Sequence, residues 1–144
     1  MTTENQAKAQ YTFNQVAAHL IEQNKRSRNN EGRCKYRGTN GLRCAVGFCI
    51  TNEDYDSRIE GRGLKSCYDS NGMLRVLDKI SPDYCNDYNF MRSLQLIHDT
   101  IVVSKWPTRL KEFAKTYNLD DSIVDIMVNA KLPVPNLINE LTAI

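Results

Sequence analysis

The stretch GRCKYRGTNGLRCAVGFCI, residues 32–50, constrains the fold most, because it interrupts a chain that otherwise has helical periodicity. It contains three of the five cysteines, four arginines or lysines and four glycines in nineteen positions. Arg33 to Arg37 alternates charged and less polar residues, with Cys34 and Tyr36 on one face, as in a half-buried strand. Gly38, Thr39, Asn40 and Gly41 then supply a turn. We therefore expect a short β-hairpin at about 33–50, although residues 42–50 fit a returning strand or a short buried helix equally well.

Apolar residues at helical spacing dominate the remainder. Thr12 and Gln15 have the spacing of a capping box, which predicts a helix of about three turns beginning there. Asn118 favours a left-handed helix end. Further helical patterns cover 72–80, 87–105, 107–117, 121–130 and 136–143. The expected fold is one α+β domain over 1–144, predominantly helical, with the hairpin packed on helices, a flexible 1–10 and a helical C-terminal extension at 119–144.

Composition narrows the class of protein. No apolar run approaches the roughly 20 residues that cross a bilayer, and the polar start lacks the features of a signal peptide. We expect a soluble, cytoplasmic protein without membrane contact. An odd number of cysteines then indicates reduced thiols rather than a disulfide framework.

Charge is distributed unevenly along the chain. Between His19 and Gly47 there are seven cationic residues against two acidic ones, whereas the C-terminal piece from Leu119 is acidic. An anionic partner would therefore meet the N-terminal third. Arginine and lysine side chains on the expected hairpin, with N–H groups of its turn, favour binding of a nucleotide, a nucleic acid or an acidic protein surface. The candidate ligand-binding residues are Arg33, Lys35, Tyr36, Arg37, Gly38, Asn40, Gly41 and Arg43.

A thiol-dependent hydrolase or transferase is the alternative from another class. Cys44 would be the nucleophile, His98 the base and Glu60 the group that orients the base. Asp99 is not expected to orient His98, because adjacent side chains on a helix diverge by about 100°. The competing interpretation is that these cysteines are small buried apolar residues and that His98 is a core histidine.

Two further possibilities have weaker patterns. Structural zinc usually requires a knuckle of the C-x₂₋₄-C kind, and the spacing from Cys44 to Cys49 lies just outside that range. No metal or other cofactor is therefore expected, with zinc as the exception to test. The residues from Leu110 to Ala130 have the register of a helix-turn-helix, but Asp120, Asp121 and Asp125 would face the DNA phosphates. An ordinary helical hairpin is favoured there.

The chain contains the pattern C-x-Y-R-G, then G-x-x-C-A-x-G, an aliphatic residue, a tyrosine, E-G, and further on L-Q-x-x-H-D and a tryptophan. In this pattern it resembles a group of small uncharacterised proteins encoded by bacteria and their phages. The resemblance covers roughly residues 12 to 119. It implies that residues 33–50, the Glu60-Gly61 loop and the helix of His98 form one spatial unit. It also suggests a phage accessory protein in the host cytoplasm that inhibits host machinery or defence. The residues that carry the pattern are Cys34, Tyr36, Arg37, Gly38, Gly41, Cys44, Ala45, Gly47, Ile50, Tyr55, Glu60, Gly61, Leu94, Gln95, His98, Asp99 and Trp106.

Overall fold

Helices form the architecture of the protein. The computed structural model describes residues 2–64 and 75–131. Within these ranges there are helices, 3₁₀ turns and isolated bridges but no β-strand. The expected α+β class is therefore wrong, and the described chain is a helical domain. Its helices are α1 (Thr3–Gln23), α2 (Ala45–Phe48), α3 (Tyr88–Thr100), α4 (Trp106–Thr116) and α5 (Ser122–Ala130).

The predicted β-hairpin at 33–50 is absent because its backbone groups are satisfied in another way. One antiparallel bridge joins Arg37 to Arg43, but it does not continue into a ladder. The backbone N–H groups of Tyr36 and Arg37 donate instead to the carboxylate of Glu60 at 2.8 and 3.1 Å. Beyond the bridge the chain enters α2, so the buried-helix alternative for residues 42–50 is confirmed.

The first helix begins nine residues earlier than predicted. Thr2 caps α1 by accepting the N–H of Asn5, and the segment predicted as flexible is helical from Thr3. Thr12 lies inside the helix, where its hydroxyl donates to the carbonyl of Lys8 and accepts the backbone N–H of Cys85. The capping-box prediction was therefore wrong, because a buried threonine can satisfy its hydroxyl within the helix.

The core lies between α1, α3 and α4. Phe13 stacks on Phe113 with ring centroids 5.9 Å apart, and Phe90 meets Phe113 edge-on at 5.0 Å. The end of α4 is also tied to α1 through side-chain amides. Gln6 donates to the carbonyls of residues 117 and 118, and Gln10 exchanges two hydrogen bonds with the backbone of residue 120.

The end of α4 was predicted correctly. Asn118 has the expected left-handed conformation, with φ 56°, and the N–H of Leu119 donates to the carbonyl of Ala114. The predicted helix at 121–130 is present as α5. The described part of the predicted helix at 72–80 is a 3₁₀ helix at Val76–Lys79, while residues 72–74 and the prediction for 136–143 lie outside the described residues. Among the helices of residues 2–64 and 75–131, none has the length and apolar character that a membrane span requires.

The third helix carries the residues that define the site described below. Asp87 caps its start by accepting the N–H of Phe90 at 2.9 Å. The helix ends at Thr100, earlier than the predicted end at residue 105, because the Arg26 side chain caps its C-terminus. The guanidinium of Arg26 donates to the carbonyls of His98 and Ile101, which replaces the hydrogen bonds of a further turn.

Candidate functional site

Cys44 is a buried cap residue. Its side chain is 1% exposed, and its Sγ accepts the N–H of Gly47 at 3.2 Å at the start of α2. Burial raises the pKa of this thiol to about 12. Because the thiolate is the nucleophilic form, Cys44 lacks the properties of a catalytic cysteine at neutral pH.

Both ring nitrogens of His98 are occupied. The imidazole is fully buried, and its Nε2 lies 2.8 Å from the backbone nitrogen of Ser27. An amide nitrogen can only donate, so Nε2 is the acceptor and the proton of the neutral ring sits on Nδ1. That proton points to Oδ1 of Asp99, 2.7 Å away. His98 therefore has no lone pair with which to act as a general base.

The prediction that Asp99 cannot orient His98 was wrong, because the two side chains are in contact. The angle of about 100° separates the two Cα–Cβ directions, but side-chain torsions allow the Asp99 carboxylate to reach the neighbouring ring. Glu60, which was predicted to orient His98, instead accepts the backbone N–H groups of Tyr36 and Arg37 and the hydroxyl of Tyr55. The structure thus does not assemble Cys44, His98 and Glu60 into a catalytic group.

The predicted anion-binding surface is divided by the fold. Arg37 donates from Nη2 to the carbonyl of Ile50, and its guanidinium lies 4.3 Å from the ring centroid of Tyr55. Its buried Nε has no partner among the described residues. Arg43 donates to the side chain of Asn52, and Arg33 lies on the surface. Of the predicted cations, Lys35 lines the cleft described below, whereas Arg33, Arg37 and Arg43 do not.

The turn at 38–41 offers less to a phosphate than its sequence suggests. Asn40 and Gly41 have positive φ angles of 57° and 76°, as an Asn-Gly turn predicts. However, the N–H of Gly38 donates to the carbonyl of Leu42, and that of Thr39 donates to the carbonyl of Arg28. Two of the four N–H groups that could have cradled an anion are therefore committed within the protein.

A cleft of about 380 Å³ lies where three segments meet. The segments are residues 34–36, the loop 60–64 and one face of α3, which together form one spatial unit. This volume is within the range of small-molecule sites. Tyr36 holds two of the walls together, since its hydroxyl donates to the carbonyl of Arg62. The lining residues are Cys34, Lys35, Tyr36, Glu60, Gly61, Arg62, Gly63, Leu64, Tyr88, Arg92, Gln95, Leu96 and Asp99.

The charges at this cleft favour an anion. In the described part of the chain, no residue pairs with the side chains of Lys35 and Arg92. The two carboxylates of the cleft are both engaged, since Glu60 accepts three donors and Oδ1 of Asp99 accepts from His98 and Gln95. The cleft is therefore lined by three cationic residues, Lys35, Arg62 and Arg92, and by two carboxylates that are already hydrogen-bonded within the protein.

Within residues 2–64 and 75–131, Cys34, His98 and Asp99 form a cluster that could hold a metal ion. One ligand atom from each lies within 4.8 Å of the others. A neutral histidine that binds a metal through Nδ1 carries its proton on Nε2. Such a proton would point at the backbone N–H of Ser27, which is itself a donor. Zinc at this cluster would thus require the buried Ser27–His98 hydrogen bond to break.

Sequence reasoning missed Arg92, Leu96 and Asp99 as members of the site. With Tyr88, they follow one another at spacings of four, four and three residues, which places them on one face of α3. The sequence pattern that could have identified them is this second set of residues at helical spacing, which lies beside the apolar residues that α3 buries in the core. Compared with known families, curated proteins and solved structures, the chain matches none of them.

Proposed function

We propose that the protein is a non-enzymatic binding protein that holds a small anionic molecule in the cleft between residues 34–36, the loop 60–64 and α3. The observation that carries this proposal is the pair of side-chain cations, Lys35 and Arg92, that line the cleft without an ion-pair partner in the described chain. An anion between them would supply the missing partner, and charge-assisted hydrogen bonds are stronger than neutral ones.

The size of the cleft favours a small molecule over an extended macromolecular partner. A volume of about 380 Å³ lies near the lower end of typical ligand sites, which enclose most of the surface of the ligand. The other basic side chains of the predicted surface, Arg33, Arg37 and Arg43, are not among the residues that line it. The proposal therefore concerns the cleft and does not extend to the whole basic third of the chain.

The thiol-enzyme alternative has less support. The burial of Cys44, its raised pKa and the occupied nitrogens of His98 all oppose it. Cys34 is exposed and lines the cleft, but the His98 and Asp99 side chains close to it are already hydrogen-bonded to each other.

Titration calorimetry at low ionic strength tests the proposal. Inorganic phosphate, pyrophosphate, ribose 5-phosphate and AMP serve as probes. We expect at least one to bind, and we expect Lys35→Ala and Arg92→Ala each to weaken binding about tenfold, the loss of one charge-assisted contact. Raising the salt concentration should weaken it further.

Arg33→Ala is the matched control, because Arg33 precedes the cleft by one residue and does not line it. We expect this variant to bind within about twofold of the unmodified protein. If no probe binds, or if Arg33→Ala weakens binding as much as Lys35→Ala does, the proposal is wrong.

A further inference from the structure

Three side chains of different chemical type follow one another along the face of α3 that lines the cleft. Arg92 and Asp99 are seven residues apart, which separates them by about 10 Å along the helix axis. Leu96 lies between them on the same face and is 37% exposed. The face therefore presents a cation, an apolar side chain and a carboxylate in that order.

Hydrogen bonds fix the Asp99 carboxylate through one oxygen and leave the other oxygen able to accept a hydrogen bond from a ligand. Its Oδ1 accepts from His98 Nδ1 at 2.7 Å and from Gln95 Nε2 at 2.8 Å. Gln95 is itself fixed, because its Oε1 accepts the backbone N–H of Val46. In the described part of the chain, Oδ2 of Asp99 accepts no hydrogen bond. A carboxylate so fixed at the rim of the cleft is a pre-positioned acceptor for a ligand donor.

The opposite wall supplies a second cation and an aromatic ring. Lys35 and Tyr36 both line the cleft, and Tyr88 adds a ring from the first turn of α3. A ligand that fits would therefore carry an anionic group for Lys35 and Arg92, a flat or apolar body, and a hydrogen-bond donor for Asp99, which lies about two helical turns from Arg92.

We infer that the ligand is a mononucleotide whose base carries an exocyclic amino group. This inference rests on the proposed function and specifies its ligand class. The phosphate meets Lys35 and Arg92, the sugar and base lie over Leu96, and the amino group donates to Oδ2 of Asp99. A nucleoside monophosphate has this order of groups.

Matched pairs of nucleotides test the inference by titration calorimetry. AMP is compared with purine riboside 5′-monophosphate, GMP with inosine 5′-monophosphate, and CMP with its 4-deamino analogue, so that each pair differs only in the amino group. We expect at least one amino-bearing nucleotide to bind tenfold or more tightly than its partner, because the lost donor would leave the fixed carboxylate unpaired.

Asp99→Asn tests directly whether the Asp99 carboxylate accepts a hydrogen bond from the amino group of the ligand. It keeps the shape of the side chain and replaces one oxygen with an NH₂ group, so the preference for the amino-bearing member of the pair should disappear. Asp83→Asn, an exposed position outside the cleft, should leave the preference unchanged. A thermal melt checks that both variants fold, and the comparison of nucleotide pairs on the unmodified protein needs no variant.

The outcomes separate the inference from the proposed function. If ribose 5-phosphate and all nucleotides bind alike, and binding still depends on Lys35 and Arg92, the inference is overturned while the proposed function holds. If none of the compounds binds, both are overturned. Much tighter binding of a 5′-phosphorylated oligonucleotide than of any mononucleotide would overturn the assignment of a free mononucleotide.

Discussion

The backbone N–H of Ser27 donates to Nε2 of His98 across 71 residues of sequence, and both groups are buried. This hydrogen bond makes His98 an acceptor on one side and a donor to Asp99 on the other. The histidine thus connects the segment before the cleft to the carboxylate inside it, and its role in the molecule is structural.

Replacing His98 with alanine should strongly destabilise the protein. The substitution leaves the Ser27 N–H buried without an acceptor, which alone costs about 1–3 kcal/mol. It also removes a ring that stacks 5.6 Å from Trp106 and leaves a cavity. We expect a loss of about 3 kcal/mol or more in the free energy of unfolding, measured by urea denaturation. A loss below about 1 kcal/mol would contradict the structural role.

The cysteines should differ sharply in their reaction with iodoacetamide. Cys34 is exposed, whereas Cys44 is buried with a pKa raised to about 12, and burial also raises the pKa of Cys49. At pH 7.5 the native protein should be alkylated at Cys34 well before Cys44 or Cys49. Peptide mapping by mass spectrometry at successive times measures the order.

The same experiment distinguishes the two classes of function. Rapid modification of Cys44 in the folded protein would revive the thiol-enzyme interpretation. Because Cys34 lines the cleft, its alkylated form should also bind the anionic probe more weakly than the unmodified protein. Cys34→Ser provides the control that removes the reactive thiol with little change in volume.

Gly47→Ala should be among the most damaging small substitutions in the chain. A Cβ at this position would lie 1.9 Å from the carbonyl oxygen of Tyr36, which is backbone and cannot move aside cheaply. We expect a loss of about 1–3 kcal/mol or more in the free energy of unfolding. The matched control is Gly63→Ala, since a Cβ at Gly63 would meet no atom within 4 Å. Equal stability of the two variants in thermal melts would refute the close packing.

His19 should make the stability of the protein depend on pH. Burial lowers the pKa of this histidine below its ordinary value of 6.5. The unfolded chain therefore takes up a proton that the folded protein does not, so the free energy of unfolding falls as the pH drops below about 6.5. The stabilisation is fully present above that pH.

Urea denaturation at pH 7.5 and at pH 5.5 measures the contribution of His19. The control is His19→Gln, whose amide can still donate to the carbonyl of Arg43 but does not titrate. We expect the difference in stability between the two pH values to be smaller in this variant. An unchanged difference would show that His19 does not contribute.

The helices could be predicted from the sequence because their signals are local. Apolar spacing placed α4 and α5, and Asn118 marked the end of α4 by its tolerance of the left-handed conformation. The start of α1 was missed because Thr12 has the residue type of a cap, yet its environment is decided by Cys85, 73 residues away. No local pattern contains that information.

The site was only partly predictable for the same physical reason. Alternation at 33–37 is typical of a strand, but a strand needs a neighbouring backbone, and here the Glu60 side chain takes that place. The basic residues were recognised by type, whereas the separation of Lys35 from Arg33 and Arg37 depends on which side chains the fold turns into the cleft. The sequence shows which part of the chain carries the positive charge. Only the tertiary contacts decide which of those charged side chains come together at one site.

The amide side chains of Gln6 and Gln10 have a consequence for synthesis on the ribosome. Helix α1 is synthesised before the other described helices, but backbone groups that anchor it lie about 110 residues later. Until α4 and the residues after it have emerged, Phe13 of α1 lacks the Phe113 ring that packs on it, and Gln6 and Gln10 lack their backbone partners. Folding is therefore postponed until most of the chain has been made, and truncation before Tyr117 should leave a nascent chain that chaperones recognise.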